Sequence, residues 1–518
     1  MEHASQAVLL EMPEQPAVQR AGKAGGKAKL KTVNRDQSML VQIWVDELIG
    51  ADHKARAIWE LAGRLDLSRF EEPLKTRQGV AGRAAWDPRL LVSVWVYAYS
   101  EGISSAREIE RLMEWEPGLQ WLGGLTTVNH HTLSDFRVAH REALNELFAQ
   151  LLGLLEASGL LSLERVMHDG TKIRAQAGAD TFRREKSLRE HLERARQVVA
   201  SMGDPQAERP ERDRRKAAQE RAGRERRERL DAALKEWEAL AAAKGTEKEK
   251  EEVRVSLTEP EARRMKHGDN AIAPSYNAQI TTEAGNKIIV GAHLSQSSSD
   301  AQSLLPAIAE VQENLDRQPV QVVVDGGFTN RDNIVACVER EIDLVGSLPD
   351  PAERSEAAMK AAGIDPAFAP HHFRMLEEGQ RLECAGGCVL SFARQSRKRG
   401  DLYQQYQARG EDCRACRYQP RCCPKKAEQG RIVSIRAEEQ ADVAAFRAKM
   451  AQPENRAICR LRGPVAEFPN AWIKDKLGLR KFRVRGVWKA GIELLWACLT
   501  YNVMQWIRLR GQASAVPA

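Results

Sequence analysis

The chain has 518 residues, 42% hydrophobic and 29% charged, enough for two or three domains with cores of their own. Such a composition excludes a disordered chain and a small disulfide scaffold. A formal charge of +7 points to an anionic partner.

No apolar run reaches the roughly 18 residues that span a bilayer. The best stretch, residues 492–507, is broken by Glu493, Asn502 and Gln505, so a soluble protein is expected. Glu2 stands where a signal peptide carries positive charge, which places the nine cysteines in a reducing compartment, where metal binding is expected rather than disulfides.

Residues 1–37 are unpatterned and carry Lys23, Lys27, Lys29 and Lys31, which reads as a flexible basic arm. Residues 38–160 have apolar positions at helical spacing, among them Leu90, Leu91, Val94 and Trp95, then Leu144, Leu147, Leu151 and Leu154. An all-α N-terminal domain is predicted. Within it, Ser104 and Ser105 open one short helix, and residues 132–141 form a second after the turn at Gly123 and Gly124. Such a pair permits a helix-turn-helix that reads DNA.

From Glu164 the periodicity changes. Residues 164–175 (ERVMHDGTKIRA) read as strand, turn, strand, with the turn at Asp169 and Gly170. Residues 276–282 and 288–295 read as a β-hairpin, 300–315 as a helix, 320–324 as a buried β-branched strand ending at Asp325, and 330–340 as another helix. This alternation predicts an α/β core over residues 161–510, a mixed sheet with helices. Residues 183–252 interrupt it with 20 Lys and Arg against 17 Asp and Glu, and one apolar stripe per arm predicts a charged helical hairpin.

Asp169 and Asp325 each follow a strand and precede a glycine, where a sheet fixes the separation of two carboxylates well enough to hold Mg²⁺. A third carboxylate for two-metal phosphoryl transfer is offered late in the chain by Glu467 or Glu493. Six cysteines fall within residues 380–426, as Cys384 and Cys388, Cys413 and Cys416, and Cys422 and Cys423. Thiolates with two or three residues between them can share one tetrahedral Zn²⁺, so this Cys-rich insertion reads as a zinc knuckle holding a segment without a core. Cys337, Cys459 and Cys498 read as core residues. Residues 471–510 carry nine cations against two acids, with Trp472, Phe482 and Trp488 interleaved, as a phosphate track for DNA requires.

Four spaced segments together carry a resemblance: VMHDGTKIRA at 166–175, residues 276–308, VVVDGGFTN at 322–330, and a late group of Arg462, Glu467, Lys474, GLRKF at 478–482, Arg485 and Gly486. In this order they resemble the DDE transposases of bacterial insertion sequences, and residues 46–67 with HTLSDFR at 131–137 resemble the helical domain preceding that core. The resemblance implies a ribonuclease-H-like fold in which Asp169, Asp325 and Glu467 bind two Mg²⁺ or Mn²⁺ ions for cleavage and strand transfer of DNA. It implies Arg462 and Lys474 beside the scissile phosphate, and Lys476, Arg480, Lys481, Arg483 and Arg485 on flanking DNA. A structural Zn²⁺ would be held by Cys384, Cys413, Cys416 and Cys422, with Cys388 as substitute. The implied partners are the element's terminal repeats, target DNA and a second copy of the chain, in the bacterial cytoplasm at the nucleoid. Where the family has Phe-Gly after the glutamate, this chain has Phe468 and Pro469, and the usual upstream Tyr is replaced near Cys459. A proline there strains a helix, which leaves as the rival a catalytically decayed transposase acting only as a DNA-binding protein.

Overall fold

A computed structural model describes residues 38, 42–74, 84–202, 214–348, 351–376, 380–398, 401–425 and 427–515. The chain divides into a unit Met1–Trp44 and a unit Val45–Ala518, and every element below belongs to the second. The predicted basic arm lies outside the described residues.

The central strand β1, Arg165–Arg174, is ten residues without a break. This corrects the strand, turn, strand reading. Gly170 sits in mid-strand opposite Gln279, and a Cβ there would come within 2.5 Å of Asp300 Oδ1. It is a glycine of close approach, a signal that a sequence cannot separate from a turn.

Five more strands complete this sheet: β2 Arg263–Lys266, β3 Ile272–Glu283, β4 Ile289–Ser295, β5 Gln321–Val324 and β6 Asp343–Gly346. β1 pairs antiparallel with β3 on one side and parallel with β5 on the other, and β6 extends the parallel side. The outer edge of β3 carries both β2 and β4. The sheet is therefore mixed, as expected, and helices cover it.

Among the described residues seven α-helices precede the sheet, including Pro88–Ser100, Ala106–Leu112, Pro117–Gly123, His130–Ala139 and Arg141–Ala157. Their starts are chemically marked. Asp87 accepts the Arg89 N–H ahead of Pro88, Ser105 accepts from Glu108, and the Glu116 carboxylate accepts from Gly118 and Leu119. The helix Pro117–Gly123 stands between the two helices read as a helix-turn-helix, so that pair is not adjacent in the chain. The second of them starts at His130 rather than Thr132, capped by Asn129.

The length allows separate cores, yet one apolar cluster runs from Trp95 and Leu144 through Val166 and Ile280 to Ile308 and Trp496. Its closing element is the helix Val487–Ala515. Two of the polar residues that break its apolar run are bonded internally: Asn502 accepts the Ile289 N–H at 2.9 Å and donates to the Ile289 carbonyl at 2.8 Å, beside the bulge in β4, and Gln505 donates to the Tyr501 hydroxyl at 3.0 Å. Among the described residues no helix is long and apolar enough to cross a membrane.

In the charged insertion, helices Glu185–Ala200 and Arg214–Ala242 pack through Leu188, Leu192, Ala195, Leu230 and Ala233. A two-residue ladder, Phe182 to Ser256 and Arg183 to Val255, closes its base.

The Cys-rich region is not a coreless knuckle. Strands β7 Arg374–Leu376, β8 Arg381–Glu383, β9 Val389–Lys398, β10 Asp401–Gln407 and β11 Ile432–Glu438 form an antiparallel meander in sequence order. Phe373, Leu382, Leu390, Tyr406, Ala408 and Val433 are buried together on it. Gln, Arg and Ser recur along β9, which is exposed over most of its length, and the half-buried β10 carries three Gln among its seven residues. That composition hid the sheet from a search for apolar alternation.

Candidate active site

Parallel pairing fixes level as well as neighbourhood. The last rung between β1 and β5 is Met167 with Val323, and side chains alternate along a strand. Asp169 and Asp325, each two residues further on, therefore share one face at the C-terminal end of adjacent strands. Beyond that rung the strands part, which is where open α/β sheets bind ligands. Asp325 Oδ1 accepts the Gly327 N–H at 2.7 Å, turning the chain just after β5.

The third carboxylate arrives on a helix packed over this face. Val465 and Ala466 bury against Met167, Val323 and Val345, which fixes where Glu467 falls. The helical run is Pro453–Arg462, a π turn Gly463–Glu467, then Phe468–Asp475. On a regular α-helix Arg462 and Glu467, five residues apart, would point about 140° from each other. The wider π turn brings them together, with Arg462 Nη2 3.8 Å from Glu467 Oε1 and Nη1 3.3 Å from Asp169 Oδ1. It also lies immediately before Pro469, whose missing N–H and bulky ring a regular turn resists.

Past the π turn, Glu467, Asn470 and Lys474 follow at helical spacing on one stripe. Asn470 Nδ2 donates to Asp169 Oδ2 at 3.1 Å, and the Lys474 ammonium donates to the Thr171 hydroxyl, two residues beyond Asp169. Asn470 escaped the sequence reading, although its place three residues after Glu467 was a usable signal.

Burial pushes the Asp169 carboxyl up to about 6; the Arg462 guanidinium opposes this, and the negative charges of Asp325 and Glu467 add to it. The contacts join two of the three carboxylates, Asp169 and Glu467, through Arg462, while Asp325 acts on Asp169 through its charge. Burial lowers the Lys474 ammonium, with Arg480 acting the same way and Asp169 opposing. Glu467 is the outermost member, its side chain 65% exposed. The donor set is hard oxygen, and the buried Asn470 Oδ1 lacks a hydrogen-bond partner, so the cluster fits Mg²⁺ or Mn²⁺ in ligand type and charge.

Glu493, the alternative third carboxylate, is elsewhere. It is 1% exposed, 3.7 Å from Arg137 Nη1, and accepts the Arg483 N–H at 2.8 Å. Arg137 itself, inside the HTLSDFR segment, is buried under Trp95 and donates to the Ser104 carbonyl.

Of the predicted DNA-contacting cations, Lys476, Arg480, Lys481, Arg483 and Arg485 are exposed on one loop, while Leu477, Leu479 and Phe482 between them are buried anchors. Arg480 pairs with Asp475. The loop lies beside the end of β1: Arg174 donates to the Arg480 carbonyl at 3.2 Å, and Phe482 to the Arg174 carbonyl at 2.9 Å.

All six clustered cysteines line one cavity. A Cβ on Gly386 would lie 2.9 Å from Cys416 Sγ and 3.6 Å from Cys384 Sγ. Cys413 Sγ accepts the Arg431 N–H at 3.3 Å. Burial, with Cys384 and Cys416 adding, pushes the Cys388 thiol up to about 12, and Cys388 lines the same cavity as the four first chosen. Among the described residues, one set of three His, Cys, Asp or Glu ligand atoms falls within 4.8 Å of one another: Glu356, His371 and His372, with both histidines exposed.

The family described as "Transposase DDE domain" matches residues 383–507, and "Transposase domain (DUF772)" matches residues 45–139. Both are transposase families, so the resemblance carried by the sequence motifs is matched over these two segments. The first match takes in Glu467, Arg462, Lys474 and the six cysteines, and leaves Asp169 and Asp325 upstream of it. No curated protein matches this chain. Among solved structures it is similar to a piggyBac transposase in a synaptic complex with hairpin DNA, at 8% identity and a TM-score of 0.25 over 91% of this chain and 82% of that one.

Proposed function

We propose that this transposase binds the terminal repeats of its element and catalyses metal-dependent cleavage and strand transfer of DNA phosphodiesters on a ribonuclease-H-like core. One observation supports the reading: Arg462 lies between Asp169 and Glu467, Asn470 donates to Asp169 from 301 positions away, and Asp325 directly follows the strand next to that of Asp169, on the same face. Strand order supports the fold, with the central β1 antiparallel to β3 and parallel to β5.

Two Mg²⁺ or Mn²⁺ ions on these carboxylates would activate water or a 3′-hydroxyl and neutralise the leaving oxygen of an in-line displacement. Asn470 holds the orientation of Asp169, and Arg462 ties Asp169 to Glu467. Lys474, steadied by Thr171, presents a positive charge to the scissile phosphate. Lys476, Arg480, Lys481, Arg483 and Arg485 line the path of flanking DNA. The helices of residues 38–160 are assigned to recognition of the ends, and residues 161–510 to the chemistry, acting as a homodimer at the nucleoid in the cytoplasm. A structural Zn²⁺ is assigned to the cysteine cavity, with Cys384, Cys413, Cys416 and Cys422 as ligands. The rival reading, a decayed DNA-binding protein, rested on Pro469; the π turn before it leaves Glu467 facing Arg462, so the site gives that rival no support.

The test is cleavage of a labelled fragment carrying the element's end, with Mg²⁺ and with chelator, by wild type and by Asp325→Ala. Metal-dependent cutting that the substitution abolishes is expected. Binding without cutting by wild type, under either metal, would overturn the enzymatic reading.

A pH dependence follows from Asp169. A carboxyl raised from 3.8 to about 6 stabilises the metal-free fold below pH 3.8 and loses that contribution as pH rises through about 6. Mg²⁺ competes with that proton, so its effect on Tm is expected to be larger at about pH 7.5 than at about pH 5. Equal shifts at both, measured by thermal melting, would remove Asp169 from the ligands.

A further inference from the structure

Asp300 belongs to neither the cluster nor the predicted site, yet its short segment touches the supports of both aspartates. On the side of β1, Asp300 Oδ1 accepts from Asn277 Nδ2 and Gln279 Nε2, each at 2.8 Å, on the strand paired with β1. It lies so close to β1 that only a glycine fits at position 170, next to Asp169. Gln279 is itself held by His168, with Gln279 Oε1 2.9 Å from His168 Nε2, and Thr281 Oγ1 is 2.9 Å from His168 Nδ1. On the side of Asp325, the Ala301 carbonyl accepts from Asn330 Nδ2 at 2.6 Å and Asn333 Nδ2 at 3.0 Å. Asn333 also donates to the Phe328 carbonyl, and Phe328 meets the His168 ring edge-on at 4.8 Å. A Cβ on Gly327 would lie 3.0 Å from Asp325 Oδ1 and 3.8 Å from Asp300 Cβ.

Side chains alternate along β1, so Gly170 and its neighbour Asp300 are on the face opposite Asp169. Asp300 therefore braces the sheet from behind. We propose that Asp300 is a positioning residue: with Ala301 it forms a strut between the strand of Asp169 and the loop of Asp325, and so sets the separation of these two carboxylates for a pair of divalent cations. The proposal rests on the metal-binding reading above. Its physical basis is that β1 and β5 share no rung beyond Met167, so the gap between the aspartates is fixed by what bridges it. The charge of Asp300 is less important than its length, because Oδ1 must reach two amides while clearing Gly170.

The test is Mn²⁺ binding to the full chain without DNA, by calorimetry or electron paramagnetic resonance, with thermal melting alongside. Loss of an outer support typically weakens metal binding about 10–100-fold, and that loss is expected for Asp300→Ala. Asp300→Glu keeps the charge and is one methylene too long, so it is expected to weaken binding as well; should the alanine variant fail to fold, this variant decides. Wild-type affinity in folded Asp300→Glu or Asp300→Ala overturns the strut. Asp325→Ala separates the two readings: if it too binds Mn²⁺ like wild type, the metal site itself is wrong, whereas loss in Asp325→Ala alone removes only Asp300.

Discussion

Replacing Glu467 by Gln lowers cleavage by about 10³-fold or more while leaving affinity for the end fragment within about twofold. The substitution keeps shape and removes the charge that would share a divalent ion with Asp169; such an ion supplies several kcal/mol at the transition state, and about 4 kcal/mol is 10³ in rate. Because the side chain is 65% exposed, the fold loses little. Single-turnover cleavage and a gel shift on the same protein make the comparison. Cleavage at wild-type rate would mean that Glu467 is not the third acid, despite its place beside Arg462.

Stability is most sensitive at the other candidate glutamate. Arg137 and Glu493 tie the helix His130–Ala139 to the closing helix Val487–Ala515, with side chains 7% and 1% exposed. Burial raises the Glu493 carboxyl and the Arg137 guanidinium opposes it. Glu493→Ala leaves a buried cation uncompensated and is expected to cost about 3–5 kcal/mol, read from denaturant unfolding. The pair Arg137→Met with Glu493→Leu is expected to recover most of this, since an apolar pair of similar size avoids the desolvation cost. A cost below about 1 kcal/mol for Glu493→Ala would show that the buried pair is energetically idle.

Where side-chain chemistry is local, the sequence was a good guide. The β-branched run before Asp325, the hairpin of β3 and β4, and the stripes of the charged hairpin are patterns of near neighbours, and the structure contains each. What failed depended on distant residues. Gly170 looked like a turn because the reason for it, Asp300, lies 130 positions away. Pro469 looked like damage because the π turn that accommodates it has no compositional mark. The meander of β7 to β11 was missed because β9 is mostly exposed and the strands mix polar with apolar residues without a clean alternation. Asn470 was legible as the third residue after Glu467, but only its bond to Asp169 gives that position meaning.

The ladder of Phe182 with Ser256 and Arg183 with Val255 has a bearing on how such a chain could have been assembled. At this ladder, itself outside the central sheet, the backbone enters the hairpin and comes back from it at adjacent points, so everything between is topologically silent: 70-odd residues add to the molecule without altering the order or direction of any strand in the central sheet. The helical hairpin is thus a module that selection can lengthen, recharge or exchange while the carboxylates stay where they are.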